Sequence, residues 1–442
     1  MSADRASTVV STSSMAPRHG RLRRHSGVAH VFRWIALGLS VVLVAAVGVV
    51  GVSLLRLSTG LNTVDLGGEV PAAQGGFAPY EGGFTILLVG SDQRTGQGGE
   101  YGEGAYGEGK LNDVTMLLHV SDDHQQARVV SLPRDLVVDF PACEDPETGE
   151  TTPAEDDVQF NQALARGGLS CVADVVTDLT GIEVPYAAMI TFQGVISMST
   201  AVGGVPVCFA GPIDDSYTGL QIPEAGTYDL EGEQALAFLR SRHGVGDGSD
   251  LARISSQQVF LSSLVRTLQS DAVLTDFTRL YAISQVALEN MTLSSGLADV
   301  GTMVSMARVL ADIPLDTMQF VLYPNVLEGN RVYPDEDAAY ELMRRIRLDL
   351  PIELGQDSLG VGSTDETPAP TGEPGELETE APGAETPGTE TPGAETPLPE
   401  ETGEPLPAGS GEPQPTPSGT TGLEDVVGQD ASQESCVVPY GG

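Results

Sequence analysis

FTILLVGS, residues Phe84–Ser91, is followed at short range by VTMLLHVS (Val114–Ser121) and ARVVSLP (Ala127–Pro133). All three runs are apolar and rich in β-branched residues, which predicts strands in the middle of a sheet. Between the first two lies TGQGGEYGEGAYGEG (Thr95–Gly109), a glycine-rich stretch without the Lys-Ser/Thr ending of a phosphate-binding loop. It reads as a linker or lid. Downstream, helical periodicity marks Ser170–Leu179, Phe192–Ala201, Asp250–Ser270, Asp276–Glu289, Leu297–Ala311 and Asp335–Asp349. Further strands are expected at Val184–Ile190, Val205–Phe209 and Met318–Leu322. Such alternation predicts an α/β fold, an α-β-α sandwich with a central mixed sheet covered by helices.

Composition divides the rest of the 442 residues. Residues 1–33 are basic, with six arginines against Asp4. Trp34–Leu55 is 22 residues without a charge, long enough to cross a bilayer. The arginines before it predict an uncleaved signal anchor with the N-terminus in the cytoplasm and everything after Arg56 outside. Residues 56–82 read as a stalk and 83–352 as the folded extracytoplasmic domain. Residues 353–442 hold 19 acidic side chains and no Lys or Arg, in near-repeats such as TPGTETPGAETP, and read as a disordered tail. Net charge is −40 overall and −26 over residues 34–352, which excludes nucleic-acid binding through a broad basic surface. Any anionic ligand must be held by local arginines.

Those arginines gather in EGEQALAFLRSRHGVGDGSDLARISSQQ, Glu231–Gln258. Glu231–Leu239 reads as a short helix, with Arg240 and Arg242 sharing a face just beyond it. Glycines then break the helix, and Asp250 opens a longer one. On it Asp250, Arg253 and Gln257 form one polar stripe, while Ile254, Phe260, Leu261, Leu264, Val265 and Leu268 face a core. Guanidinium forks at a helix start suit a diphosphate; a salt-bridge network between two helices is the other reading. Asp92 and Arg94 follow the first strand, Asp113 opens the second, and Arg134 and Asp135 close the third. Strand ends are where ligands bind in α/β sheets, although each of these residues is also an ordinary turn or cap residue.

Four cysteines lie beyond the apolar segment, none in CxxC spacing. Outside the cytoplasm disulfides are the expected state. Cys143 with Cys171 closes a short polar insert and is the preferred pair; Cys208 with Cys436 would then tie the tail to the domain. With only His119, His124 and His243 in the outer region, a multi-histidine zinc site is not expected.

In order and spacing, FTILLVGSDQR, NDVTMLLHVS, VVSLPRD, FNQALARGG, GGVPV and LEGEQALAFLRSRH…DLARISSQQ resemble the LytR-CpsA-Psr family. The resemblance runs from about Phe84 to Leu350 and is most specific in its last element. It implies an extracytoplasmic phosphotransferase that moves a glycopolymer from a polyprenyl-diphosphate carrier to peptidoglycan. It further implies that Asp92 and Asp113 place a magnesium (or manganese) ion. Arg134, Arg240, Arg242 and Arg253 would bind the diphosphate, and Asp250 and Gln257 would orient them. Arg94, Lys110 and Asn161 are implied as further substrate contacts. Three departures remove cations: Leu111 and Ser256 stand where the family often has arginine, and Gln159 where it often has lysine. Two other readings stay open. One is a pyrophosphatase acting on polyprenyl or nucleotide diphosphates. The other is a non-catalytic polyprenyl-phosphate-binding protein of the cell envelope.

Overall fold

The computed structural model describes residues 62–67, 80–92, 110–146, 148–270, 291–355, 358–365 and 426–441, with single helical positions among 283–290. The expected membrane span at Trp34–Leu55, most of the Asp276–Glu289 helix and the site candidate Arg94 lie outside the described residues. No helix among the described residues is long and apolar enough to cross a membrane.

Among the described residues the first four elements are β1 (Asn62–Val64), β2 (Phe84–Ser91), β3 (Asn112–Val120) and β4 (Ala127–Leu132). There follow α1 (Ala163–Thr180), β5 (Tyr186–Ile190), α2 (Phe192–Val202), β6 (Val205–Phe209) and β7 (Gly226–Leu230). Next come α3 (Glu233–Arg240), α4 (Asp250–Gln269), β8 (Met291–Ser294), α5 (Val300–Asp312), β9 (Met318–Leu322) and α6 (Glu336–Arg347). The last three strands are β10 (Ser363–Thr364), β11 (Gly428–Asp430) and β12 (Cys436–Val437). Among the described residues, short hairpins lie between β4 and α1, between β6 and β7 and between β9 and α6.

The fold is mixed α/β around an eight-stranded mixed sheet of order β1-β8-β5-β2-β3-β4-β9-β11. The three strands read from FTILLVGS, VTMLLHVS and ARVVSLP sit at its centre, as their apolar content requires. Alternate residues Leu87, Val89, Leu117, Val130 and Leu132 turn one face toward Val172 and Val176 of α1 and Leu342 and Ile346 of α6. The kink in α1 falls at Gly167 and Gly168. A Cβ at Gly167 would lie 2.9 Å from the Cβ atoms of both Cys143 and Cys171, so this glycine admits the disulfide between them.

Next to α4 stands a second sheet, β7-β6-β12-β10, which periodicity did not announce. Its core comprises Val205, Val207 and Phe209 of β6, Phe238 of α3 and Val259 and Phe260 of α4. The expected apolar core face of α4 holds at Ile254 and Phe260, which are buried, and is corrected beyond them. Leu261, Leu264, Val265 and Leu268 are only partly buried, whereas Ser255, Ser256, Gln257, Gln258, Ser262 and Ser263 are fully so. Backbone segments press close here: a Cβ at Gly362 would lie 2.2 Å from the Ala252 carbonyl oxygen. Small hydroxyl side chains fit that gap, and Ser255 and Ser256 satisfy themselves by donating to the Leu251 and Ala252 carbonyls.

Two segments read as stalk and tail also contribute strands. β1 pairs in parallel with β8. In the tail, β11 pairs antiparallel with β9, and β12 pairs in parallel with β6. Cys208 and Cys436 are opposite each other in that register and are disulfide-bonded across 228 residues of sequence. Strands of two or three residues carry no readable period; pairing across the fold orders them. Residues 366–425 lie outside the described residues.

Candidate active site

β2 and β3 are antiparallel, as are β3 and β4, while β4 and β9 are parallel. The end of β2, the start of β3 and the ends of β4 and β9 therefore share one edge of the sheet. Asp92, Asp113 and Arg134 stand there. The β2–β3 register passes from Gly90 opposite Val114 to Ser91 opposite Asn112, leaving Asp113 as an unpaired bulge residue. A bulge bends the strand and re-aims its side chain. Asn112 beside it is fully buried, donates to Thr115 Oγ1 and accepts from the Leu164 amide. Its fixing role carried no sequence signal.

The α3–α4 connection brings the second half of the site. Ser249 caps α4, accepting from the Ala252 amide, so Asp250 occupies the first turn. Three guanidinium groups converge on one oxygen of Asp250. Oδ1 lies 2.6 Å from Arg253 Nη2, 3.5 Å from Arg242 Nε and 3.6 Å from Arg134 Nε. Arg134 also donates to Asp113 Oδ1 at 2.5 Å and lies 3.6 Å from Asp135. Arg253 Nη2 donates to the Asp113 main-chain oxygen at 3.0 Å. Asp113, Arg134, Asp250, Arg253 and Gln257 line one small recess. Gln257 donates to the Leu239 carbonyl at 2.8 Å, tying α4 to the last turn of α3.

Three cations face three carboxylates, yet the packing is incomplete. Arg134 Nε, Arg253 Nε and Asp250 Oδ2 are buried without a hydrogen-bond partner, while Asp250 Oδ1 is met by the three ion-pair contacts alone. Burial pulls the Arg134 guanidinium down, but Asp113, Asp250 and Asp135 more than offset it and hold it above its ordinary range. At Arg253 burial prevails, aided by Arg242 and Arg134 and opposed by Asp250 and Asp113, and the group is held below its ordinary range. Buried N–H donors that lack an acceptor, beside crowded like charges, are groups that an anion can satisfy.

The remaining candidates are distributed around this centre. Arg240 lays its guanidinium over the Phe192 ring, 4.5 Å from the centroid, a cation–π contact with α2. The Asn161 amide donates to the Arg134 carbonyl at 2.9 Å, so Asn161 holds the Arg134 main chain. Lys110 is exposed beside Leu111. The Leu111 amide donates to Asp92 Oδ1 at 3.0 Å. Ser256 is buried beneath Gly362, whose Cβ would stand 3.0 Å from its Oγ, so an arginine there has no room.

Two supports were not legible in the sequence. Ser241, between Arg240 and Arg242, donates to Asp215 Oδ2 at 2.6 Å, and both residues are fully buried. The C-terminal segment pairs with the loop from Arg242 to Asp250. The Gly246 amide donates to the Val438 carbonyl, the Tyr440 amide to Gly244 and the Gly441 amide to Gly246. The Ser241–Asp215 pair carried no sequence signal; for the C-terminal segment the expected Cys208–Cys436 bond signalled its return but not its pairing with Gly244 and Gly246.

No group of three or more His, Cys, Asp or Glu placed to hold a metal occurs among the described residues. Magnesium bound to phosphate substrates takes one or two carboxylates, the rest of its shell being water and phosphate oxygen. Asp92, just past the end of β2, and Asp113 on β3 stand at one sheet edge and match that donor type; one oxygen of Asp92 is held by the Leu111 amide and one of Asp113 by Arg134.

Comparison with known proteins places this geometry in a wider group. The model of the LytR_cpsA_psr family matches residues 65–346. Cell wall biosynthesis protein LcpA of Corynebacterium glutamicum is 31% identical over 294 residues, covering 60% of this chain and 55% of that protein. The probable cell wall biosynthesis protein LcpB of the same organism is 30% identical over 313 residues, covering 69% and 70%. The polyisoprenyl-teichoic acid–peptidoglycan teichoic acid transferase TagT of Bacillus subtilis is 25% identical over 260 residues, covering 55% and 73%. The chain thus spans about half the length of LcpA. The match takes in β2 to α6, with every strand end and helix start that supplies the Asp250 cluster, and this chain belongs to the LytR-CpsA-Psr family.

Proposed function

We propose that the chain is an extracytoplasmic phosphotransferase, which moves a glycopolymer from a polyprenyl-diphosphate carrier to a peptidoglycan hydroxyl. The observation that carries this reading is the convergence of Arg134, Arg242 and Arg253 on Asp250, with buried guanidinium donors left over. The printed name of TagT, a teichoic acid transferase to peptidoglycan, supports it. Anchored by Trp34–Leu55, the enzyme would meet a membrane-bound donor at high effective concentration.

In this mechanism Arg134, Arg242 and Arg253 bind the diphosphate oxygens and spread the charge that develops on phosphorus and on the leaving group. Arg240 lies one residue from the Ser241 anchor, where it contacts the outer phosphate or its sugar. The acceptor hydroxyl oxygen attacks the phosphorus that carries the glycopolymer. The bond from that phosphorus to the bridging oxygen breaks, and polyprenyl phosphate leaves. Asp92 takes the hydroxyl proton. A magnesium ion held by Asp92 and Asp113 would supply Lewis-acid stabilisation of the phosphate oxygens.

The test supplies full-length protein with polyprenyl-diphosphate-linked saccharide, with and without peptidoglycan. Acceptor-dependent formation of a phosphodiester and of polyprenyl monophosphate is expected, and chelation should reduce it. Release of saccharide phosphate at the same rate with or without acceptor would instead establish the hydrolytic reading.

A further inference from the structure

SRHGVGDGSD, Ser241–Asp250, is the loop that carries Arg242 into the arginine centre and ends on Asp250 itself. Two consecutive turns shape it. The Val245 amide donates to the Arg242 carbonyl at 3.2 Å, and the Gly248 amide donates to the Val245 carbonyl at 3.0 Å. Each such turn brings its ends within about 7 Å, so Gly248 lies within about 14 Å of Arg242. His243 adjoins Arg242 in the chain, and Gly248 stands two residues before Asp250. Close packing fixes the loop. A Cβ at Gly246 would lie 2.7 Å from the Ala252 Cβ and 2.9 Å from the Val361 carbonyl oxygen, and one at Gly244 would lie 2.8 Å from Ile213 Cγ2.

Aromatic side chains collect on this fixed loop. Tyr217, in the hairpin between β6 and β7, stacks on the His243 ring with centroids 4.3 Å apart and planes at 27°. The Asp215 carboxylate holds both partners' main chains in place, accepting from the Tyr217 amide at 3.0 Å and from the Ser241 hydroxyl at 2.6 Å. Tyr440 belongs to the C-terminal segment, beyond the residues 65–346 shared with the family. Its amide donates to the Gly244 carbonyl at 3.0 Å, and a Cβ at Gly248 would stand 3.0 Å from its ring. Even so, Tyr217 is 77% exposed and Tyr440 62%. With Val361 they make three of the seven exposed large hydrophobic residues among the described ones, and all three border this loop. Exposed side chains scattered singly need no explanation, whereas a cluster of them marks a binding surface.

The chemistry of this surface selects its ligand. Aromatic faces pack against the C–H faces of sugar rings. Neither tyrosine offers a cation to a phosphate, and Asp247, exposed between His243 and Gly248, would repel one. We infer that Tyr217 with His243, and Tyr440 against Gly248, form a saccharide subsite on the rim of the arginine centre. The inference deepens the phosphotransferase reading and rests on it for the sugar that accompanies the diphosphate. Phosphate then goes to the guanidinium groups, and a sugar close to it goes to the aromatic rim. In that reading both substrates carry sugars, the glycopolymer of the donor and the glycan of the acceptor, and the test separates the two.

Full-length protein in detergent is assayed with a polyprenyl-diphosphate-linked saccharide as donor and a disaccharide-peptide muropeptide as acceptor, and binding of each is also measured by calorimetry. Tyr217→Ala and Tyr440→Ala should each raise KM for a saccharide substrate about fivefold or more, with kcat within about twofold of wild type. Tyr217→Phe and Tyr440→Phe keep the ring face and should stay within about twofold of wild type in KM. Thermal unfolding of the four variants should match wild type, because the replaced side chains are exposed. A rise confined to the donor assigns the rim to the glycopolymer, and one confined to the acceptor assigns it to the peptidoglycan glycan. KM unchanged within about twofold for both substrates in both Ala variants would overturn the subsite. A fall in kcat alone, or no binding of either saccharide to wild type, would overturn it too. Calorimetric binding that weakens in the Ala variants, in a wild-type protein that forms no phosphodiester, would leave the subsite standing and overturn the phosphotransferase reading instead.

Discussion

Asp250 and Arg253 lie one turn apart on α4, with Oδ1 of the first 2.6 Å from Nη2 of the second. Arg242 and Arg134 close on the same oxygen. Removing the charge of Asp250 would leave three guanidinium groups facing one another, and Arg253 is only 5% exposed. Asp250→Asn is therefore expected to cost about 3 kcal/mol of unfolding free energy, the loss typical of a broken buried pair. Denaturant unfolding measures it. A change below about 0.5 kcal/mol would show that Asp250 does not hold the cluster.

Arg242 and Arg253 should separate stability from chemistry. The Arg242 side chain is 27% exposed and that of Arg253 6%. Arg242→Ala is expected to leave stability within about 1 kcal/mol of wild type while lowering transfer about 100-fold. Arg253→Ala should lower both. Equal effects of the two variants on stability, by thermal unfolding, would contradict this division.

The buried Ser241–Asp215 pair predicts a pH dependence. Burial pushes the Asp215 carboxyl up, but the Ser241 hydroxyl and the Tyr217 and Thr218 amides outweigh it and hold the group below its ordinary 3.8. A depressed folded-state value adds stability above the unfolded value, and that stability is lost as pH falls through the folded one. Ser241→Ala should cost about 2 kcal/mol at neutral pH, because a buried carboxylate loses a donor. The gap between wild type and variant should narrow below pH 3.8. A gap constant from pH 7 to pH 2 would rule out the ionised pair.

The Cys208–Cys436 bond closes 228 residues. A loop of that length gives about 5 kcal/mol as the chain-entropy limit. Cys436→Ser should also release the C-terminal pairing on Gly244 and Gly246, speeding amide exchange at Gly246, whose N–H donates to Val438. Exchange rates at Gly246 unchanged in the variant would mean that the strand holds without its covalent tie.

Local pattern determined a good part of this protein. Phe84–Ser91 and Val205–Phe209 occupy their expected ranges, and α2, α4 and α6 begin within a residue of theirs, because burial imposes periods of 2 and 3.6 that survive in the amino-acid order. The Cys143–Cys171 pair formed as its short spacing suggested. Only tertiary structure decided that Arg134, Arg242 and Arg253 meet at one carboxylate, that Asp113 sits on a bulge, and that Gly362 covers Ser256. The expected Cys208–Cys436 bond also formed, but only tertiary structure decided that Cys436–Val437 pairs in parallel with Val205–Phe209. Contacts between residues a hundred or more positions apart leave no period in the chain. They exist through strand order and close packing, which no short window of sequence encodes.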